Sequence, residues 1–291
     1  MTIIACDIGA TEIKGARYED AIAIQTQRLR TEPERGAHHT MNQLHKLIGQ
    51  LWTEEVRAIG IVSAGAINPT SGMIVGNTGT MTDWVGVSLK ADIETAFGVP
   101  VHVDNDANGA MLAEFEPYRQ AGIQHAVMLT LGTGVGSAVV IHGELYRGAT
   151  YQVEFGHLIL HPGGRPCTCG QSGCAEQYLS GRALTNRAIA EVDGAITHGS
   201  ELFLAATQQN PCALAVLEEY FDDLFLYLQS LDRVYDPELF LIGGGVTDNN
   251  NLFATMLEEK RLEHCFTKPI HLARLQNRAG IQGAYLLAER G

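Results

Sequence analysis

Thr2-Ile3-Ile4-Ala5-Cys6, then Asp7-Ile8-Gly9-Ala10-Thr11, then Ile13 to Tyr18 open the chain as an apolar run, a polar turn and an alternating run. This order predicts strand, tight turn and strand. It recurs downstream: His125 to Leu131 predicts a strand, Gly132-Thr133-Gly134-Val135-Gly136 a glycine turn, and Ser137 to His142 a returning strand. The recurrence points to an internal duplication. Around these hairpins the pattern predicts a third strand over Ala21 to Thr26 and a helix over His39 to Trp52. The latter carries Met41, Leu44, Leu47, Ile48 and Leu51 at helical spacing. Buried strands are expected at Arg57 to Val62, Val101 to Asp104 and Leu239 to Ile242. Helices are expected over Ser88 to Phe97, from near Asn108, over Ser180 to Val192, Cys212 to Val234 and Ile281 to Glu289. Alternating strands and helices specify an α/β fold.

Length and charge narrow the function. The 291 residues are long enough for two domains, and 20 Lys and Arg against 33 Asp and Glu leave a formal charge of −13. Such a field repels polyanions and anionic membrane surfaces, so neither nucleic acid nor membrane is an expected partner. No apolar run reaches the roughly 20 residues of a membrane span. The first residues do not have the pattern of a secretory signal, which makes the cytoplasm the expected compartment.

Glycine lets backbone N–H groups approach phosphate without an intervening Cβ. Gly9, Gly132, Gly134 and Gly136 are therefore candidate phosphate contacts. Asp7 is a candidate to orient hydrated Mg²⁺, and the hydroxyls of Thr11 and Thr133 to meet phosphate. Taken alone, both turns serve an ordinary hairpin equally well. Neither a P-loop nor a dinucleotide-binding glycine fingerprint follows the first strand. Gly243, Gly244 and Gly245 come directly after an expected strand and are candidates to lie against adenine or ribose. At the carboxyl end of another strand stand Asn105, with a side chain that can donate to and accept from sugar hydroxyls, and Asp106, a candidate general base. Helix capping explains the same residues as readily.

His157, Cys167, Cys169 and Cys174 supply one imidazole and three thiolates, a set suited to tetrahedral Zn²⁺. With four protein ligands no position stays open for substrate, so the expected zinc is structural. Glu154 and Glu176 flank these ligands and are candidate acceptors for sugar hydroxyls.

Asp7 to Thr11, Asn105-Asp106-Ala107-Asn108, Gly132 to Gly136, Glu154-Phe155-Gly156-His157 and the run Cys167 to Glu176 together resemble the ROK family of bacterial sugar kinases and sugar-responsive repressors, over essentially the whole chain. The resemblance implies a two-domain actin-like, hexokinase-like ATPase fold with ATP and sugar in an interdomain cleft. The expected domains are 1–107 plus 278–291, and 108–277 with the zinc loop. It further implies ATP-dependent phosphorylation of the 6-hydroxyl of a hexose or N-acylhexosamine, with glucose and N-acetylmannosamine foremost. Asp106 matches the catalytic base. Asn105, Glu154, His157 and Glu176 match sugar contacts, and His157 with the three cysteines matches the zinc ligands. Gly60 to Ala66 and Gly76 to Thr80, with Gly65 and Asn77, correspond to the first-domain wall of the sugar pocket. Sugar and ATP are the expected partners, with a homodimer the expected assembly. A sugar-responsive regulator or a weakly catalytic sugar-binding protein is the alternative, the regulator disfavoured by a phosphate turn that begins at residue 7. Two departures bear on ATP binding: Gly9 is followed by Ala10 where the family usually has a second glycine, and Glu12 stands where Lys is common.

Overall fold

The computed structural model describes residues 1–76, 81, 83–192, 196–248 and 250–291. The chain divides into unit 1, Met1–Ala121 with Leu145–Val153 and Asn277–Gly291, and unit 2, Gly122–Glu144 with Glu154–Gln276.

Unit 1 is built on strands β1 (Thr2–Ile8), β2 (Glu12–Glu19) and β3 (Ile22–Arg30), helix α1 (Ala37–Leu51), β4 (Val56–Ser63), the short pair β5 (Ala66–Ile67) and β6 (Ile74–Gly76), α2 (Leu89–Phe97), β7 (Val101–Asn105), α3 (Asp106–Gln120) and the C-terminal helix Ala279–Arg290. Its sheet runs β3-β2-β1-β4-β7. The first three strands pair antiparallel, and β4 and β7 join parallel. The apolar stripe expected on α1 is buried: Leu44, Leu47, Ile48 and Leu51 are inaccessible and pack with Ile4, Ile13 and Ile59 of the sheet. Gly15 of β2 lets α1 settle here, since a Cβ on it would stand 2.3 Å from a Leu47 methyl.

Unit 2 repeats the plan with β8 (Ala126–Leu131), β9 (Val135–Ile141) and β10 (Glu144–Leu145), then helices α4 (Glu176–Leu179), α5 (Gly181–Glu191), α6 (Gly199–Thr207) and α7 (Pro211–Tyr235), β11 (Leu239–Gly243), α8 (Asn251–Glu263) and β12 (Ile270–Leu272). Its sheet order, β10-β9-β8-β11-β12, matches that of unit 1 strand for strand. Here too β8 and β9 form an antiparallel hairpin, and β11 and β12 join parallel. The duplication expected from the two glycine hairpins is therefore a duplication of whole sheets. The core of unit 2 is aromatic: Phe221, Phe225, Phe240 and Phe253 are fully buried. Among the described residues, no helix is long and apolar enough to cross a membrane.

The expected boundary between 107 and 108 falls after the second residue of α3. α3 starts at Asp106 rather than near Asn108, and it belongs to unit 1. The reason is a glycine contact. A Cβ on Gly283 of the C-terminal helix would lie 2.0 Å from the Gly109 carbonyl oxygen, and one on Gly60 of β4 would lie 1.8 Å from the Ala284 carbonyl oxygen. Bare backbone at these positions lets the helices pack at close range on β4.

Candidate active site

The turn between β1 and β2 is closed by the Gly9 N–H donating to the Glu12 carbonyl at 3.0 Å. Thr31, fully buried just after β3, braces it: its hydroxyl donates to the Gly9 carbonyl at 2.6 Å and its N–H to the Thr11 carbonyl at 3.0 Å. Thr11 itself is exposed. Burial pushes the Asp7 carboxyl up, opposed by the Lys14 ammonium 3.7 Å away. Gly280, in the first turn of the C-terminal helix, lies against Asp7, since a Cβ there would stand 2.5 Å from its Oδ2. Glu12 pairs with Arg28 at 3.6 Å, so a cation on the neighbouring strand offsets its charge beside the turn.

The corner between β7 and α3 is held by a network that sequence patterns do not show. Asn105 caps α3, its Oδ1 accepting from the Ala107 N–H at 2.8 Å and the Asn108 N–H at 3.4 Å, while its Nδ2 donates to the Gly65 carbonyl at 3.0 Å. The capping reading of Asn105 is thus realised, and its amide carries a second proton for a ligand. Gly65 needs its positive φ of 108°, and its carbonyl also accepts from Gln152 Nε2 at 3.3 Å. The buried Asp104 carboxylate accepts from Arg147 Nε at 2.7 Å and from Asn108 Nδ2 at 2.7 Å. Arg147 and Gln152 lie far from this corner in sequence, with only the buried charge of Asp104 as a signal that such a partner must exist. Beyond these braces Asp106 is exposed, with its Oδ1 accepting from the Ala107 N–H at 2.9 Å. Asn77, Thr78 and Thr80 lie outside the described residues.

In unit 2 the turn between β8 and β9 opens into a cavity of about 930 Å³, with Gly132 and Thr133 at one side. Its apolar walls are Leu184, Phe203, Leu204 and Val246, and its polar groups include Arg182, Thr185, Ser200, Asp248 and Asn250. The Gly132 carbonyl accepts from the Gly181 N–H at 2.7 Å, which ties the turn to the start of α5. Gly245 lines this space, whereas Gly243 and Gly244 do not. Those two are glycines for internal reasons. A Cβ on Gly243 would meet the Ala273 methyl at 2.7 Å, and Gly244 combines a φ of 97° with backbone of Leu131 within 2.6 Å of a Cβ. Gly134 faces Glu176, whose Oε2 would lie 2.4 Å from a Cβ there. Glu176 Oε2 accepts from the Val135 N–H at 3.1 Å, and its Oε1 meets Arg182 Nη2 at 3.4 Å. The helices α6 and α8 that complete the cavity, and Arg182 within it, carry no motif that sequence reading singles out.

His157 ends a single helical turn, Phe155–His157, and Glu154 immediately precedes it; the turn is anchored where the Phe155 N–H donates to Ser137 Oγ at 2.9 Å and its carbonyl accepts from Tyr227 Oη. The His157, Cys167, Cys169 and Cys174 ligand atoms all lie within 4.8 Å of one another. The Cys169 and Cys174 sulfurs are 3.5 Å apart, and Cys167 Sγ is 3.6 Å from His157 Nδ1. A tetrahedron with Zn–S of about 2.3 Å needs sulfur separations just under about 4 Å, so the four residues fit a structural zinc. Burial opposes ionisation of Cys167, yet donors from Cys169, Cys174 and Gln177 bring its thiol down to about 7. Burial, then Cys169 and Cys167, push Cys174 up to about 12. One proton is thus loosely held and another tightly, and a divalent cation would displace both. Gly173, at φ 88°, permits the turn back, since a Cβ there would strike the His161 carbonyl oxygen at 1.8 Å.

The profile of the ROK family matches residues 3–291. A glucokinase of Streptomyces coelicolor is 32% identical over 98% of this chain and 96% of its own length. An N-acetylmannosamine kinase of Salmonella typhi is 28% identical over 99% of both. A ROK family glucokinase from Streptomyces griseus, solved with glucose and AMPPNP, superposes over 100% of both chains with a TM-score of 0.84 at 29% identity. Duplicated sheets, glycine turns and a His-Cys₃ loop are accordingly accompanied by likeness along the full chain, and this protein belongs to the ROK family.

Proposed function

We propose that the protein is an ATP-dependent sugar kinase that phosphorylates the 6-hydroxyl of a gluco- or manno-configured hexose, with glucose and N-acetylmannosamine as the acceptors. The observation that carries this reading is the unit 2 cavity, where a glycine turn that can present backbone N–H groups to phosphate adjoins apolar walls that suit an adenine ring. The kinases named among the relatives support it.

In this reading Asp106 accepts the proton of the attacking hydroxyl, while Asn105, Glu154, His157 and Glu176 hold ring hydroxyls. His157 can do so through Nε2, because its Nδ1 is the nitrogen beside Cys167 Sγ. Gly65 belongs to the wall of the sugar pocket. Gly132, Thr133, Gly134 and Gly136 receive phosphates, as do Gly9 and Thr11, and Asp7 orients hydrated Mg²⁺. Mg²⁺ bound with ATP supplies neutralisation of phosphate charge. The adenosine end rests on Gly245, Phe203 and Val246 instead of Gly243 and Gly244.

The test is kcat/KM for glucose, N-acetylmannosamine, N-acetylglucosamine, fructose and a β-glucoside, with the phosphate located by NMR. Glucose or N-acetylmannosamine should lead, with product phosphorylated at C6. A preference for fructose, or phosphate at another carbon, contradicts this assignment.

A further inference from the structure

The phosphate turn of unit 2 already holds an anion, and that anion belongs to the protein. Glu176 Oε2 takes the Val135 N–H at 3.1 Å and crowds the space beside Gly134. The Glu176 side chain is 14% exposed and Arg182 47%, and their separation of 3.4 Å is long for an ion pair. A partly exposed pair of this kind contributes little, so Arg182 exchanges partners at small cost. Arg182 is also the only lysine or arginine among the described residues lining the 930 Å³ cavity. A guanidinium on the rim of a site that receives phosphate gains more from a polyanion than from one carboxylate.

We propose that Glu176 is an internal stand-in for phosphate at the 132–136 turn, and that an incoming nucleotide displaces it by taking over the Val135 N–H and Arg182 with its phosphate chain. This rests on the nucleotide reading of the cavity. The displaced carboxylate becomes available to sugar hydroxyls, so one side chain serves the two substrates in turn. A Cβ at 134 would crowd the resting position of Glu176, standing 2.4 Å from its Oε2.

Calorimetric titration with ATP, ADP and adenosine, without sugar, separates this from a role in shaping the cavity wall. Glu176→Gln keeps an acceptor for the Val135 N–H and removes the competing charge, and should tighten ATP about three- to tenfold. Arg182→Ala should weaken ATP about tenfold or more, with Arg182→Lys partly restoring it, because hydrogen bonds to charged groups are the strong ones. Adenosine, which has no phosphate, should bind every variant within about twofold of wild type, and that also reports an intact cavity. ATP affinity unchanged or weakened in Glu176→Gln, or equal shifts for ATP and adenosine, overturns the stand-in. Wild-type protein that binds neither ATP nor adenosine overturns the nucleotide reading itself.

Discussion

The two hairpin turns share a sheet plan and differ in what surrounds them. The turn at 7–11 carries a carboxylate, Asp7, set against a lysine and a helix start, and it is braced by the buried hydroxyl of Thr31. The turn at 132–136 carries no ionisable residue of its own and is braced by the start of α5 and by Glu176, which opens α4 just after the His-Cys₃ loop. One copy of the plan carries acidic groups at or just past its strand ends, at Asp7, Asp104 and Asp106. The other has opened its strand ends into a cavity. Duplication thus supplies two frames, and the side chains that converge on each give it a different chemical character.

If unit 1 supplies the proton acceptor, the largest effect falls there. Asp106→Asn should lower kcat by roughly 10² to 10⁴ while ATP affinity stays within about twofold of wild type. Turnover near wild type would remove Asp106 from the reaction and leave unit 1 without its assigned chemistry.

The brace on the second turn should depend on metal where the first does not. Metal analysis of the wild type should find about one zinc per chain. Cys169→Ser should lose it and cost about 3 kcal/mol or more in unfolding free energy, since metal binding is coupled to folding of the loop. ATP affinity should rise with it, because Glu176 follows the last cysteine of that loop by two residues and, once loosened, competes less well with phosphate for the Val135 N–H. A metal-free protein with full stability and activity would break this side of the comparison.

A smaller and sharper contrast lies within three glycines after β11. Gly244→Ala meets both a positive φ and the Leu131 backbone, and should cost more than about 2 kcal/mol. Gly245→Ala has nothing within 4 Å of the new methyl. It should leave thermal stability within about 0.5 kcal/mol and raise KM for ATP a few-fold. Equal stability losses in the two variants would mean that Gly245 is a packing residue too.

Much of this comparison was legible in the sequence because short apolar runs on either side of a glycine turn occur in both copies. The strands at 2–8, 12–19 and 135–141 are a residue or two longer than their patterns and that at 126–131 is one residue shorter, and the His-Cys₃ set assembles as the ligand types suggest. What stayed hidden has physical causes. α8 buries Phe253, Met256 and Leu257 with Lys260 in the same stripe, and a lysine there breaks the apolar period. Its burial makes sense only with Glu218, Asp222 and Glu263 around its ammonium. β12 is three half-buried residues, too short for a pattern. The place of α3 in unit 1 depends on Gly109 meeting Gly283, and contact between bare backbones leaves no hydrophobic signature. Arg147, which neutralises Asp104 from 43 positions away, looks like any surface arginine until the chain folds.

The most direct measurement is ADP release by the purified protein with ATP, with and without Mg²⁺, and with and without glucose or N-acetylmannosamine. Release that needs Mg²⁺ and rises well above background only when a sugar is present is the expected result. No sugar in a broad panel raising ADP release above background would contradict the division of chemistry between the two turns.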